Sequence, residues 1–371
     1  MDDNDDVGGG VSGDGRDGDG SGAAGGDEGG AAGGDEGGTG GVGRFKVELE
    51  GVPETLLWNL YNRAAEARRP GARLLDDPLA VELVDRIDYP FERFSGSGMA
   101  QWHALRVRCL DDEVRRFVAE HPDGTVVALG EGLETQFWRV DNGRVRWLTV
   151  DLPETVEVRD VLLPDDPPRR RSLARSALDL GWMDEVDDSE AVLVTAQGLL
   201  MYLPPSDVKR LIAACAERFP GGWMLFDALP RGMVARSQAQ ADDRARADAQ
   251  ARAEARRDAD AGGTGPEAGM DVGTEAGTEA GTDAGTEAGG SAARPGYRAP
   301  RWLWGMDGKE YRKVATASPR IAEVRSLRLP RGRGPYAIAP VSHLIPLLRG
   351  MRMSIVSLRF GTADYRNGDR P

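Results

Sequence analysis

The stretch from Thr125 to Asp151 constrains the fold more than any other part of the sequence. It reads TVVALG, then GEGLETQFWRV, then RWLTVD. Strands that are apolar along their whole length are typical of a parallel sheet covered on both faces, and parallel neighbours are joined by a helical crossover. The stretch therefore predicts a strand, a glycine-rich turn, a helix and a second strand, and with them an α/β fold.

Further apolar runs extend the predicted sheet, because continuous apolar segments of this length are typical of buried strands. The last of them is predicted to be an antiparallel edge strand. The expected strands are Ser172–Leu178, Ala191–Gln197, Trp223–Leu229, Ile321–Leu329 and Met353–Phe360.

Helices are predicted wherever apolar residues recur every three or four positions. Residues 44–120 are expected to form a helical lid over the strand ends, where ligands bind in open α/β sheets. The predicted helices are Leu56–Arg68, Pro78–Ile87, Met99–Ala119, Glu154–Leu163 and one that begins at Ser206 or Asp207.

Two segments have a composition that cannot build a core. Residues 1–43 are mostly Gly, Asp, Ala and Ser, and residues 237–294 pass from an Ala/Arg/Asp run into a Gly-Thr-Glu/Asp-Ala repeat. Such segments bury too little apolar surface to offset their conformational entropy. We therefore predict a disordered acidic tail (1–43), a low-complexity insert (237–294), and one domain made of 44–236 and 295–371.

The net charge of −14 belongs mostly to these two segments. Residues 1–43 hold eleven acidic residues against one arginine, and residues 236–294 hold twelve against seven arginines. The rest of the chain is close to neutral, which argues against electrostatic binding of nucleic acid or of an anionic membrane.

Targeting and metal signals are missing from the sequence. It has no signal peptide and no apolar run long enough to span a bilayer, and Cys109 and Cys215 lie in apolar stretches outside any metal motif. We expect a cytoplasmic protein with no metal and no membrane partner.

The turn after the first strand is suited to binding a nucleotide. Gly130 and Gly132 allow the backbone to approach a ligand, and Asp151, 19 residues after Gly132, ends the next strand where a carboxylate can accept ribose hydroxyls. A dinucleotide fingerprint would have a third glycine where this chain has Thr135. Asp151 capping the helix after it is an alternative that is compatible with ligand binding.

The chain resembles the leucine carboxyl methyltransferase family, and in particular its branch of tetracenomycin-type polyketide O-methyltransferases. The resemblance covers most of residues 52–230. It rests on VVALGEGLETQFWRV and VRWLTVDLPETVEVRDVLLP, on Asp77–Ala80, on Ala104–Val114, on Ala177–Leu180 with Trp182, and on Gln197–Pro204. It implies a Rossmann-like class I methyltransferase sheet with an added helical lid, and S-adenosyl-L-methionine as cofactor.

The resemblance also implies which residues hold that cofactor. Arg106 matches the arginine that pairs with the methionyl carboxylate, although an arginine on a helix is otherwise usually solvated. The backbone at the turn and the carboxylate that binds the ribose come next, followed by the residues around the adenine. The matching positions are Gly130, Glu131, Gly132, Asp151, Leu152, Asp179 and Leu180.

Two positions depart from the family pattern. Gln197 stands where the family often has a glutamate, so the attraction to the cationic end of the cofactor is weakened by the loss of charge. Arg63 lies where carboxyl methyltransferases carry a lysine, and we interpret it as a surface arginine.

The acceptor decides whether a base is needed. A carboxylate acceptor needs none, whereas a phenol or alcohol would need one, for which Tyr202 and His343 are weak candidates. His103 and His121 lie in no recognisable catalytic motif.

The resulting hypothesis is an O-methyltransferase that acts on a carboxyl or hydroxyl oxygen of a small molecule, such as a polyketide-like metabolite. A nicotinamide-dependent oxidoreductase and a non-catalytic partner-binding protein with a relict cofactor pocket are the alternatives. Thr135 counts against the first, and Gln197 is the support for the second.

Overall fold

The computed structural model describes residues 45–46, 54–95, 100–261, 301–344, 353–362 and 364. The predicted tail and the part of the insert beyond residue 261 lie outside the described residues. In chain order the strands and helices are β1 (Phe45–Lys46), α1 (Glu54–Ala67), α2 (Pro78–Arg86), β2 (Ile87–Asp88), α3 (Ala100–Glu120), β3 (Thr125–Leu129), α4 (Gln136–Val140), β4 (Arg146–Asp151), α5 (Pro153–Leu162), β5 (Arg170–Ala174), β6 (Val192–Ala196), α6 (Pro205–Arg218), β7 (Trp223–Ala228), α7 (Arg231–Ala261), β8 (Ile321–Leu327) and β9 (Ser354–Phe360).

Seven strands form one sheet in the order β5-β4-β3-β6-β7-β9-β8, and the first five are parallel. β9 runs antiparallel to both of its neighbours, β7 and β8. The expected antiparallel strand is therefore present, but it lies inside the sheet, and β8 forms the edge. The chain reverses direction across the sheet at β3, where ligands bind in folds of this kind.

Helices cover both faces of the sheet, as its fully buried strands require. On one face, Leu110 and Val114 of α3 pack against Val126 and Leu225. On the other face, Leu211 and Cys215 of α6 and Phe219, which follows it, pack against Val194 and Phe226. The sheet is thus the middle of three layers, and the α/β class expected from the sequence is confirmed.

A separate apolar cluster joins α1 and α2 to the region after β3. Leu57 and Leu60 of α1 and Leu83 of α2 are fully buried with Leu133 and with Leu162 of α5. Asp77 begins α2 by accepting a hydrogen bond from the N–H of Ala80, 3.1 Å away, which explains the Asp-Pro pair at its start. This packing brings α1 against the glycine-rich turn.

Two predicted elements differ from expectation, the strand by ending earlier and the helix by beginning later. The strand predicted over Ser172–Leu178 spans Arg170–Ala174, and the chain then turns so that residues 176–178 approach the strand ends. The helix predicted directly after the turn is only Gln136–Val140. Five residues are too few to offer the helix N-terminus that would bind an anion.

The first residues of the predicted insert are helical and anchored. α7 runs through Arg231–Ala261, and the N–H of Trp302 donates to the Ser237 hydroxyl at 3.2 Å. The Gln238 amide donates to the carbonyl of Trp302 at 3.1 Å, and Arg301 pairs with Asp242 at 3.2 Å. The chain therefore leaves and rejoins the domain at neighbouring points. No helix among the described residues is long and apolar enough to cross a bilayer.

Candidate active site

A cleft opens at the carboxyl ends of β3, β4 and β6, with α1 and α3 along its other side. Its volume is about 1250 Å³ measured to its open mouth. This volume includes the open space between the walls, so it describes an open cleft and not an enclosed cavity.

The glycine-rich turn forms one wall of this cleft. Gly130 and Gly132 have φ values of 58° and 56°, in the left-handed region that favours glycine. A Cβ on Gly132 would lie 2.4 Å from a methyl carbon of Leu56 on α1, and one on Gly130 would lie 2.9 Å from a methyl carbon of Leu199. The two glycines therefore permit both the turn and the close approach of its neighbours.

Asp151 lies opposite the turn and is held by the backbone. Its Oδ2 accepts the N–H of Gly132 at 2.7 Å, and its Oδ1 accepts the N–H of Leu152 at 2.8 Å. Burial raises the pKa of Asp151, although these N–H groups act in the opposite direction. The side chain makes no capping bond to α5, so the capping role that was left open is not observed.

Glu131 lies within the turn and lines the cleft, and its carboxylate ties the turn to β4 and α5. Its Oε2 accepts from the Thr149 hydroxyl and from Arg159 Nη2, which lies 3.0 Å away. Arg159 also donates to the carbonyl of Gly132. The buried Oε1 of Glu131 has no hydrogen-bond partner among the described residues.

Arg106 is buried in the wall of the same cleft, with 4% of its surface exposed. Its Nη1 lies 3.1 Å from Oδ2 of Asp227, which is fully buried and accepts the N–H of Gly198 through Oδ1 at 2.6 Å. The solvated arginine considered as an alternative is therefore excluded. Asp227 was missed because it lies within the apolar run WMLFDAL of β7, where an ion pair leaves no signal in the sequence.

A buried charge network connects the lid to the turn. Arg63 on α1 lies 3.0 Å from Oδ2 of Asp77 and 3.1 Å from Oε2 of Glu134, and Arg139 contacts the same two carboxylates at 2.8 and 2.7 Å. The Thr135 hydroxyl donates to Asp77 at 2.7 Å. The interpretation of Arg63 as a surface arginine was wrong, because its exposed fraction is 2% and it lines the cleft.

Gln197 follows β6 and also lines the cleft. Its Nε2 donates to Oε2 of Glu134 at 2.8 Å, and its buried Oε1 has no partner among the described residues. Burial acts to raise the pKa of Glu134, but the guanidinium groups of Arg63 and Arg139 outweigh it and hold that pKa at about 2. Sequence reasoning missed Glu134, a single acid in a turn.

The structure places Asp179 and Leu180 outside the cleft lining, which at this point consists of Ser176, Ala177 and Leu178. Asp179 is exposed, and its carboxylate accepts the N–H of Gly181 at 3.2 Å. Leu152, the other apolar residue expected at the cofactor, does line the cleft.

Of the two candidate bases, Tyr202 lines the cleft, and its burial raises the pKa of its hydroxyl. The backbone of His343 belongs to the 3₁₀ helix Gly334–Leu344, but its side chain lies outside what the structure describes. Burial beside Arg106 and Arg63 lowers the pKa of His103 well below its usual range, so this histidine is neutral. The described residues contain no cluster of side chains that could hold a metal ion.

Comparison with known proteins identifies relatives of this chain. The leucine carboxyl methyltransferase family pattern matches residues 57–216. The tetracenomycin polyketide synthesis O-methyltransferase TcmP of Streptomyces glaucescens is 36% identical over 185 residues, which cover 49% of this chain and 68% of TcmP. The S-adenosyl-L-methionine-dependent methyltransferase dpfgK of Gibberella zeae is 28% identical, with the same two coverages. Among solved structures, a methyltransferase from Thermobifida fusca is 23% identical with a TM-score of 0.33, covering 47% of this chain and 66% of its own.

Proposed function

Because this chain belongs to the leucine carboxyl methyltransferase family and is an S-adenosyl-L-methionine-dependent methyltransferase, we propose that it methylates an oxygen atom of a small organic acceptor. The observation that carries the proposal is the burial of a cation, Arg106, and an anion, Asp151, in the walls of one cleft that the glycine-rich turn also lines. Family membership also removes the support for an oxidoreductase.

The cleft fits S-adenosyl-L-methionine in shape and in chemistry. Several of its buried polar atoms lack a partner among the described residues: Arg106 Nε, Glu131 Oε1, Asn59 Oδ1 and Gln197 Oε1. A buried polar group without a partner is costly, so this set favours a polar ligand with donors and acceptors of its own. A decayed, apolar pocket would not keep these groups.

The two charged residues suit the two ends of the cofactor. A guanidinium can bind the methionyl carboxylate through two parallel hydrogen bonds, and this is the role that we propose for Arg106. Asp151 accepts one backbone N–H on each oxygen and keeps free lone pairs for the ribose hydroxyls. Gly130, Glu131 and Gly132 bring the backbone to the ligand between these ends.

The adenine is proposed to lie against the apolar wall formed by Leu152, Ala177 and Leu178. Ser176, in the same wall, has a hydroxyl that can hydrogen bond to the exocyclic amine. Asp179 and Leu180, which the family pattern assigns to the adenine, follow this segment directly. They are therefore proposed to follow the adenine wall without contacting the ligand.

The acceptor is proposed to bind on the side of the cleft formed by α1 and Tyr202. The bound cofactor supplies an electrophilic methyl group on a sulfonium, and placing the acceptor oxygen in line with it provides most of the catalysis. Tyr202 remains protonated at neutral pH because burial raises its pKa. Its hydroxyl can donate a hydrogen bond and cannot act as a base.

These properties favour an acceptor that arrives ionised, such as a carboxylate or an acidic phenol. Glu134 is an anion, but Arg63, Arg139 and Gln197 already occupy its oxygens. An ionised acceptor needs no proton acceptor from the protein. The relation to TcmP favours a polyketide-like acceptor. We further propose that the enzyme works in the cytoplasm and has no nucleic acid partner.

The test uses purified protein, cofactor labelled in its methyl group, and extract of the host. A methyl ester releases labelled methanol in mild alkali, whereas a methyl ether or methylamine does not. We expect label on oxygen in a low-molecular-weight product, alkali-labile if the acceptor is a carboxylate and alkali-stable if it is an acidic phenol. Stable label identified on nitrogen or carbon by mass spectrometry would overturn oxygen as the acceptor atom, and absence of S-adenosylhomocysteine binding would overturn the cofactor site.

A further inference from the structure

The amide of Gln197 has only one orientation that its surroundings permit. Its partner, Oε2 of Glu134 at 2.8 Å, belongs to an ionised carboxylate, which accepts hydrogen bonds and donates none. The NH₂ group of Gln197 must therefore face Glu134. Its oxygen, Oε1, is then left in the cleft wall without a partner among the described residues.

Glu134 is itself immobilised. Its Oε1 accepts from the N–H of Thr135 at 3.0 Å and from Arg139 at 2.7 Å, while its Oε2 accepts from Arg63 at 3.1 Å as well as from Gln197. The two guanidinium groups hold the pKa of Glu134 at about 2 against the effect of burial. The carboxylate is therefore charged at neutral pH, and its four hydrogen bonds fix its orientation.

The free amide oxygen lies at the Arg106 end of the cleft. The next residue, Gly198, donates its N–H to Asp227, which also pairs with Arg106. A Cβ on Gly198 would lie 3.1 Å from Arg106 Nη1. The methionyl group carries its carboxylate and its ammonium on one carbon atom, so a carboxylate on Arg106 brings the ammonium close to the amide.

From this geometry we infer, building on the cofactor site proposed above, that Glu134 is a positioning residue that locks Gln197 so that Oε1 accepts the methionyl ammonium. The charge that position 197 lacks is supplied one hydrogen bond away. The arrangement gives the ammonium a fixed acceptor, and the two arginines keep the carboxylate from becoming a second unpaired charge.

The test compares two ligands. S-adenosylhomocysteine carries the amino-acid end, whereas 5′-methylthioadenosine lacks it and keeps the nucleoside. The substitution Gln197→Met removes the amide oxygen that accepts the ammonium. The substitution Glu134→Gln keeps that oxygen but removes the carboxylate that fixes the orientation of the Gln197 amide. We expect calorimetry to show S-adenosylhomocysteine binding about 10-fold weaker in Q197M, as for one charge-assisted hydrogen bond, and about 3- to 10-fold weaker in E134Q. Methylthioadenosine binding should stay within about twofold in both.

A double exchange separates orientation from structure. In E134Q/Q197E the amide at position 134 donates to the carboxylate at position 197, whose other oxygen faces the ammonium. We expect this variant to bind S-adenosylhomocysteine at least as well as the wild type. Like E134Q, it has lost the charged contacts of position 134 with Arg63 and Arg139, so any rescue comes from the restored orientation. Glu66→Gln is the matched control, because the buried carboxylate of Glu66 pairs with Arg333 at 2.6 Å and does not line the cleft.

The outcomes are distinguishable. Equal weakening of both ligands in E134Q, or no rescue by the double exchange while the melting temperature matches E134Q, would overturn the positioning role. Wild-type protein that binds neither ligand would overturn the proposed cofactor site itself. Unchanged affinity for S-adenosylhomocysteine in Q197M would show that the amide oxygen does not touch the ligand.

Discussion

The two ends of the cleft are held in different ways. At the end proposed for the ribose, Asp151 is fixed by the backbone N–H groups of Gly132 and Leu152, 19 positions and one position away in sequence. At the end proposed for the amino acid, Arg106 depends on the side chain of Asp227, 121 positions away. The first end is built from backbone that is adjacent to it, and the second from side chains that meet only after folding.

This difference predicts that substitutions at the ribose end reduce the free energy of unfolding less than substitutions at the amino-acid end. Backbone N–H groups remain when a side chain changes, whereas removal of one partner from a buried ion pair leaves an uncompensated charge. Variants at the two ends should therefore differ both in stability and in which ligand they fail to bind.

The largest effect is expected from Asp227→Ala. The substitution leaves Arg106 buried without its partner and the N–H of Gly198 without an acceptor, so the free energy of unfolding should fall by about 3–5 kcal/mol. Urea denaturation followed by circular dichroism measures this. Asp227→Asn retains an acceptor and should lose less. A loss below about 1 kcal/mol, the size of an ordinary substitution, would mean that the ion pair does not hold this end.

The second largest effect is expected from Arg106→Lys, and it should appear in the affinity for the ligand. Lysine keeps a charge near Asp227 but lacks the planar fork that binds a carboxylate. S-adenosylhomocysteine should bind at least about 10-fold more weakly, whereas 5′-methylthioadenosine should be unaffected. Calorimetry with both ligands tests this, and an equal effect on both would place the amino-acid group elsewhere.

Asp151→Asn should weaken both ligands alike, because both contain the ribose. The amide keeps one acceptor oxygen, so a loss of about 10-fold is expected from the missing acceptor and charge. The melting temperature without ligand should fall less than in Asp227→Ala, because the amide still accepts one of the two backbone N–H groups and the turn is also held by Glu131 and Arg159. Selective loss of S-adenosylhomocysteine alone would contradict the assignment of this end.

The smallest effect is expected from Asp179→Ala. This carboxylate is exposed, and only Ser176–Leu178 of its loop line the cleft. Affinity for both ligands should stay within about twofold, the range of ordinary surface substitutions. A loss as large as that of Asp151→Asn would show that the loop brings Asp179 to the adenine when the ligand binds.

The same contrast determines what the sequence could predict. The ribose end is local, so the glycines of the turn and the acid 19 residues later are visible as one pattern, and the strands around them are correct to within a residue or two. The family resemblance supplied Arg106. Neither signal could find the pair of Asp227 with Arg106 or the contacts of Glu134 with Arg63 and Gln197, because these partners lie 121, 71 and 63 positions apart along the chain.

Arg63 shows why the lid was harder to interpret than the sheet. On the assumption that α1 has one apolar and one solvated face, Arg63 is assigned to solvent. In the structure α1 packs against α2 on one side and against the turn on the other, so a polar residue on it is buried and paired. Periodicity identifies a helix but does not reveal how many of its sides are covered.

The hydrogen bonds between Trp302 and residues 237–238 hold together the two ends of the long segment that follows β7. The segment leaves and rejoins the domain at neighbouring residues, so the packing of the sheet does not depend on the length of the segment. Doubling such a segment adds only about 0.6 kcal/mol of closure entropy. A longer repeat, or a whole domain inserted at this position, should therefore reduce the free energy of unfolding only slightly.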